Sequence, residues 1–126
     1  MKIGDAKILI SDHSILARKQ LKDMLSSFGA VRIIESANGQ EAVELYREHT
    51  PDIIFLDIIT PIKDGNTAIS EIREINPQAD IVVVSSIGTQ SQVMHAILLG
   101  AKDFVQKPLN ASQIELILNT RFEGGA

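Results

Sequence analysis

The sequence has 126 residues, a formal net charge of −4 and no cysteine. This length suits one domain with a single substantial core, and a hydrophobic content of 44% is ordinary for a globular protein. The missing cysteine excludes disulfides and thiolate metal sites. Lysine and arginine are scattered along the chain, so we expect no direct binding to nucleic acid.

Hydropathy gives no sign of a membrane protein. No apolar stretch approaches the roughly 20 residues that a membrane-spanning helix needs. The N-terminal segment MKIGDAKILI carries an acidic residue and lacks a small-residue cleavage site after an apolar block, so it does not resemble a signal peptide. We therefore expect a cytoplasmic protein with no membrane partner.

Five short apolar runs predict β-strands that alternate with five helices. KILI ends in the polar stretch SDHS, and VRIIESA is interrupted by an Asn-Gly pair. DIIFLD and DIVVVSS are apolar without alternation, which is typical of parallel strands that are buried on both faces. DFVQ is a short fifth run. The predicted strands cover residues 7–10, 31–37, 52–57, 80–86 and 103–106.

The segments between these strands have helical periodicity and recognisable helix ends. Ser14 is predicted to cap the first helix, because its hydroxyl can accept a hydrogen bond from a first-turn amide. Gly29 is predicted to end that helix. Asn38 precedes the second helix, Gly100 ends the fourth, and Asn110 is predicted to cap the fifth.

Strict alternation of strand and helix predicts the fold class. A parallel sheet with right-handed crossovers satisfies this order, which gives a doubly wound α/β domain with a five-stranded parallel sheet and five helices. We expect one domain over residues 1–121 and a short flexible tail over residues 122–126.

Polar side chains collect where the apolar strands end. Asp12 and His13 follow the first strand, Asp57 ends the third, Ser85 ends the fourth, and Lys107 follows the fifth. Capping, turns or solvation would explain any one of them. Because ligands of such folds bind at the carboxyl ends of the strands, the convergence of all five predicts a functional site there.

Four segments in this order resemble the receiver domain of two-component response regulators, the CheY-like family. They are ILISDHSILARK, FLDIITPIKDG, VVVSSIG and GAKDFVQKPL, and the resemblance covers essentially the whole chain. It implies the strand order 2-1-3-4-5, which is an example of the doubly wound fold. It also implies a signalling phosphoacceptor of the two-component system that is not an enzyme, although it assists its own phosphoryl transfer and slow dephosphorylation.

The resemblance implies a role for each residue at the strand ends. Asp57 would take a phosphoryl group from a histidine kinase. Asp12, Asp57 and the backbone carbonyl of Ile59 would hold Mg²⁺, Lys107 would pair with the phosphoryl oxygens, and Ser85 would bond them through its hydroxyl. The bond between Lys107 and Pro108 is often cis in this family.

The same resemblance implies an output surface and a control of signal lifetime. Ser85 and Phe104 would form the switch that alters the surface of the fourth helix, fifth strand and fifth helix, where a downstream protein binds. That surface includes His95, Phe104 and Gln106, and the pattern is similar to chemotaxis receivers. Ile59 and Ile87 would flank the path of the hydrolytic water, and neither can bond it, so we expect slow self-dephosphorylation.

His13 departs from the family pattern, which usually has a second acidic residue there. Two interpretations stay open: His13 points to solvent while Asp12 and Asp57 suffice, or the Mg²⁺ site is weakened or altered, since Mg²⁺ prefers oxygen ligands. Three alternative functions also stay open. These are a pseudo-receiver interaction module with impaired metal binding, the receiver domain of a longer regulator, and a flavodoxin-like cofactor carrier.

Overall fold

A computed structural model describes residues 1–59, 62–86 and 89–123 of the chain. A short 3₁₀ helix, Ile3–Asp5, precedes a regular alternation of strands and helices. The strands are β1 Lys7–Ser11, β2 Arg32–Ser36, β3 Ile53–Asp57, β4 Ile81–Ser85 and β5 Asp103–Gln106. The helices are α1 Ile15–Ser27, α2 Gly39–His49, α3 Gly65–Ile75, α4 Gln90–Leu99 and α5 Ala111–Asn119.

The five strands form one parallel sheet in the order β2-β1-β3-β4-β5, which confirms the predicted fold class. Every residue of β3 and β4 is buried, as their uninterrupted apolar runs indicated. In the sheet register Asp57 lies beside Val84, and Ser85 lies beside Gln106. The carboxyl ends of the central strands therefore come together at one edge.

Helices cover both faces of the sheet and divide the core in two. On one face, side chains of α1 and α5 such as Leu25 and Ile114 pack against Ile8 and Ile10 of β1. On the other face, α2, α3 and α4 pack against the alternate side chains of β1, β3 and β4. Burial of these apolar side chains stabilises the sheet and makes it a rigid support for residues at its edge. No helix in the described part of the chain is long and apolar enough to cross a bilayer.

The predicted helix ends are confirmed. Ser14 Oγ accepts a hydrogen bond from the Ala17 amide at 3.2 Å, so it caps α1. Asn38 and Asn110 cap α2 and α5 in the same way. Gly100 follows α4 with a φ of 120°, a conformation in which a side chain would be strained.

The C-terminal end of the domain lies beyond the predicted boundary at residue 121. Phe122 is buried and belongs to the core cluster between the sheet, α1 and α5. The Glu123 amide donates a hydrogen bond to the Met1 carbonyl at 2.9 Å. Residue 122 thus packs with the domain and residue 123 pairs with its first residue, while residues 124–126 lie outside the described part of the chain.

Candidate functional site

Three charged side chains from three strand ends meet at the carboxyl edge of the sheet. Asp12 follows β1, Asp57 ends β3, and Lys107 follows β5. Lys107 Nζ lies 2.7 Å from Asp12 Oδ2 and 3.5 Å from Asp57 Oδ2. Since Lys107 and Asp12 are 95 residues apart in the chain, only the parallel topology brings them together.

Backbone amides fix the orientation of both carboxylates. The Ser14 amide donates to Asp12 Oδ1 at 2.8 Å, and the Ile59 amide donates to Asp57 Oδ1 at 3.0 Å. Asp12 is 6% exposed and Asp57 is 3% exposed. Each carboxylate is therefore held in a fixed position, with its Oδ2 atom beside the Lys107 ammonium.

The environment of Asp57 raises the pKa of its carboxyl. Burial raises the pKa of the Asp57 carboxyl above its ordinary value, and the neighbouring Asp12 carboxylate raises it further. The Ile59 amide, Lys107 and His13 lower that pKa without cancelling the effect of burial. A cation beside Asp57 would favour the ionised carboxylate, so the site is suited to gain positive charge.

His13 faces both carboxylates although its side chain is about half exposed. Its Nδ1 atom lies 3.5 Å from Asp57 Oδ2 and 3.9 Å from Asp12 Oδ1. One ligand atom from each of Asp12, His13 and Asp57 lies within 4.8 Å of the others. The two buried carboxylates fit a divalent cation, whereas the imidazole nitrogen is a poor ligand for Mg²⁺.

The predicted switch residues lie on the two strands that follow β3 in the sheet. Ser85 is fully buried at the end of β4, and its carbonyl accepts a hydrogen bond from the Lys107 amide at 2.8 Å. Phe104 of β5 is partly buried and packs against the core. The peptide bond between Lys107 and Pro108 is cis, as the resemblance implied.

The structure describes only one of the two residues that are predicted to control hydrolysis. The Ile59 side chain is 41% exposed, and its backbone is bonded to the Asp57 carboxylate. Ile87 lies outside the described residues. The roles of both residues stay predictions.

Arg18 contacts the site but was missed in the sequence. Its Nη1 atom donates to the Asp12 carbonyl at 2.6 Å, and its Nε atom donates to Glu35 Oε1 at 3.1 Å. Lys22 also pairs with Glu35, at 3.1 Å. A basic residue one turn after a predicted helix cap is a weak signal, and its partner on β2 is visible only in the folded chain.

Comparison with known proteins defines the class to which this fold and site belong. A family model described as the response regulator receiver domain matches residues 8–119. The chain therefore belongs to the response regulator receiver family, and its fold is that of a CheY-type receiver domain.

Named relatives cover nearly the whole chain. The chain is 43% identical over 113 residues to the chemotaxis protein CheY of Bacillus subtilis, which is 90% of this chain and 94% of that protein. CheY of Thermotoga maritima matches with the same identity and coverage. A chain in the crystal structure of the CheX-CheY-BeF₃-Mg²⁺ complex from Borrelia burgdorferi matches with a TM-score of 0.87 and 34% identity, over 91% of this chain and 88% of that one.

These matches confirm the predicted family, fold and receiver function. Receiver domains are signalling phosphoacceptors that bind Mg²⁺ and interact with kinases and downstream proteins. The pseudo-receiver alternative is not favoured, and the family match also argues against a flavodoxin-like cofactor carrier. The roles of the individual site residues stay predictions.

Proposed function

We propose that this receiver accepts a phosphoryl group on Asp57 from a phosphohistidine of a histidine kinase, in a chemotaxis-type signalling system. The observation that carries the proposal is the meeting of buried Asp57 with Asp12 and Lys107 at one edge of the sheet. The CheY relatives support the chemotaxis role. A cytoplasmic location is part of the same proposal.

In the transfer step, an oxygen of the Asp57 carboxylate attacks the phosphorus. A new P–O bond forms, the P–N bond to the kinase imidazole breaks, and the imidazole nitrogen leaves with the electron pair. Asp12, Asp57 and the Ile59 carbonyl would hold a divalent cation, which would supply positive charge to the phosphoryl oxygens. Such charge matters because phosphoryl transfer depends mainly on positioning and charge neutralisation.

Lys107 and Ser85 complete the charge neutralisation. The Lys107 ammonium already lies 3.5 Å from Asp57 Oδ2, which is within reach of an oxygen on an attached phosphoryl group. The Ser85 hydroxyl donates a hydrogen bond to another phosphoryl oxygen. Both residues thus stabilise the transferred group and also sense its presence.

The cation site is weakened for Mg²⁺ by His13. An acidic residue at this position would add a negative charge and an oxygen ligand, whereas a neutral imidazole adds neither. A hard cation such as Mg²⁺ loses both contributions. The contacts of His13 Nδ1 with both carboxylates support a place for His13 within the cation site.

The output is a change in the surface formed by α4, β5 and α5, which binds a downstream protein. Exposed apolar side chains on this surface support that role, since Met94 and Leu98 on α4 are 54% and 80% exposed and Leu116 on α5 is 64% exposed. His95 and Gln106 are exposed beside them, and Phe104 of β5 is partly buried. A protein partner fits this apolar surface better than nucleic acid does.

Labelling with radioactive acetyl phosphate and Mg²⁺ tests the proposal. Wild type should gain a label that hydroxylamine removes, and Asp57→Asn should gain none, because the amide cannot form an acyl phosphate. Asp64→Asn is the matched control, since Asp64 is an exposed carboxylate on the same loop and should leave labelling unchanged. Full labelling of Asp57→Asn would overturn the assignment.

A further inference from the structure

We propose that the cation site selects a divalent first-row transition metal, such as Mn²⁺ or Co²⁺, over Mg²⁺, with His13 Nδ1 as a direct ligand. This inference rests on the proposed function, because it concerns the cation that the phosphorylation site holds. The proposal rests on the position of the His13 imidazole nitrogen beside the two carboxylates.

The distances allow a cation bound to either carboxylate to contact the His13 imidazole as well. Two ligands of the same cation can be at most about 4.2 Å apart when each bond is roughly 2.1 Å long. His13 Nδ1 is 3.5 Å from Asp57 Oδ2 and 3.9 Å from Asp12 Oδ1. Both separations are below that limit, so the imidazole needs no rearrangement of the backbone to act as a ligand.

The charge of the site favours a cation that binds nitrogen. Asp12 and Asp57 provide two negative charges, and the Lys107 ammonium, 2.7 Å from Asp12, offsets one of them. Mg²⁺ binds mainly through charge and oxygen ligands, so it gains little from a neutral imidazole. Transition metals bind imidazole more strongly, in the order Mn²⁺, Co²⁺, Ni²⁺ and Cu²⁺, so they recover affinity that Mg²⁺ loses.

The exposure of His13 is compatible with this role. A neutral imidazole that offers Nδ1 to a metal carries its proton on Nε2. Because the His13 side chain is 48% exposed, water can reach the ring while Nδ1 faces the carboxylates. Lys107 competes for Asp12 whichever cation binds, so the selectivity depends on His13.

Metal titration of the unphosphorylated protein tests the inference. Dissociation constants for Mg²⁺ and Mn²⁺ would be measured by calorimetry and by electron paramagnetic resonance of free Mn²⁺. The variants are His13→Asp and His13→Ala. His49→Ala is the matched control, because His49 ends α2 and its carbonyl contacts Lys7 at the opposite edge of the sheet.

We expect the ratio of the Mg²⁺ to the Mn²⁺ dissociation constant to be on the order of tenfold larger in wild type and His49→Ala than in either His13 variant. His13→Asp should also bind Mg²⁺ more tightly than wild type. Pulsed electron paramagnetic resonance should detect nitrogen coupled to bound Mn²⁺ in wild type and His49→Ala, but in neither His13 variant. Equal ratios in wild type and His13→Ala, or the absence of nitrogen coupling in wild type, would overturn the inference.

The same samples separate this inference from the proposed function. If acetyl phosphate labels the protein at Asp57 but wild type and the His13 variants have the same metal selectivity, the inference is overturned and the proposed function is not. A site that selects Mn²⁺ but is not labelled with any cation would support the inference and overturn the proposed phosphorylation.

Discussion

Asp57 differs from an ordinary surface carboxylate in its burial and in its close neighbours. It is 3% exposed, and burial raises its pKa. It is nevertheless oriented by the Ile59 amide and paired with Lys107, so its position is fixed and positive charge is close. In the proposed function, this carboxylate becomes the nucleophile once a cation and a phosphoryl donor are bound.

The residues of the site were predicted from the sequence because each lies directly at a strand end. The interactions among these residues were not predicted from the sequence. Whether His13 turns toward the carboxylates or toward solvent depends on its side-chain torsions, which neither periodicity nor spacing specifies. Arg18 was missed for a similar reason, since its contacts with Asp12 and Glu35 join α1 to two other segments.

At the residue scale, we predict that Ile59→Asn combined with Ile87→Glu speeds loss of the phosphoryl group. Ile59 is 41% exposed beside Asp57 and its side chain cannot orient a water molecule, whereas Asn and Glu can bond one. Because positioning accounts for much of the rate of phosphoryl transfer, we expect hydrolysis to accelerate by on the order of tenfold. Loss of label over time measures this rate.

Ile62→Asn is the control for that experiment. Ile62 is an exposed apolar residue on the same loop, with 69% of its surface exposed, and the proposal gives it no role. Equal or slower loss of label in the double variant, compared with wild type, would show that these two side chains do not control the water.

At the scale of elements, the sequence specified most strands and helix ends because their signals are local. A capping side chain bonds an amide only two or three residues away, as Ser14 and Asn110 do. The caps of α3 and α4, Asp64 and Thr89, are equally local and could have been predicted from the same residue types. Helix α4 differs from the other helices in its packing. Its composition is apolar on average, but Ala96 is its only buried residue.

We predict that the cap of α3 makes stability depend on pH. Asp64 Oδ1 accepts the Thr67 amide at 3.0 Å, and this bond lowers the pKa of the Asp64 carboxyl below its ordinary value. The ionised cap therefore stabilises the fold above about pH 3.9, and this contribution is lost as the pH falls through the lowered pKa. Asp64→Ala should reduce the free energy of unfolding by about 1 kcal/mol at neutral pH, and by less in acid.

Urea unfolding at several pH values measures this effect. Asp64→Asn is the control, because its amide oxygen can accept the same hydrogen bond but does not titrate. A loss of stability in Asp64→Ala that stays constant into acid would contradict the role of the ionised carboxylate.

At the scale of the whole molecule, topology explains why distant residues meet and where prediction from sequence ends. The strand order places Asp12, Asp57 and Lys107 at one edge, and the alternation of strands and helices already indicated that edge. Arg121 shows what was not predictable. It joins Asp80 before β4 to Asp103 of β5, at 2.6 Å and 2.5 Å, through side-chain directions that exist only after folding.

The proposed switch is a property of the whole molecule, because it must carry a change from Asp57 to the α4-β5-α5 surface. Ser85 pairs with Gln106 in the sheet register, so movement of Ser85 toward a phosphoryl group should reach β5. We predict that beryllofluoride, which mimics the phosphoryl group, shifts the amide resonances of residues 103–106 and of α4 when it is added with Mg²⁺. Nuclear magnetic resonance of isotopically labelled protein measures those shifts.

Ser85→Ala separates the switch from local effects of the bound mimic. Resonances around Asp57 should still shift in this variant, while those of residues 103–106 should shift much less. Equal shifts in β5 with and without the Ser85 hydroxyl would contradict a switch that acts through Ser85.

The most direct test of the central claim is to locate the phosphoryl group chemically. Borohydride reduces an aspartyl phosphate to homoserine, so it marks the phosphorylated residue permanently. After treatment with acetyl phosphate and then borohydride, peptide mass spectrometry should find homoserine at position 57 and aspartate at position 12. Homoserine at Asp12, or a labelled protein with unmodified Asp57, would contradict the account.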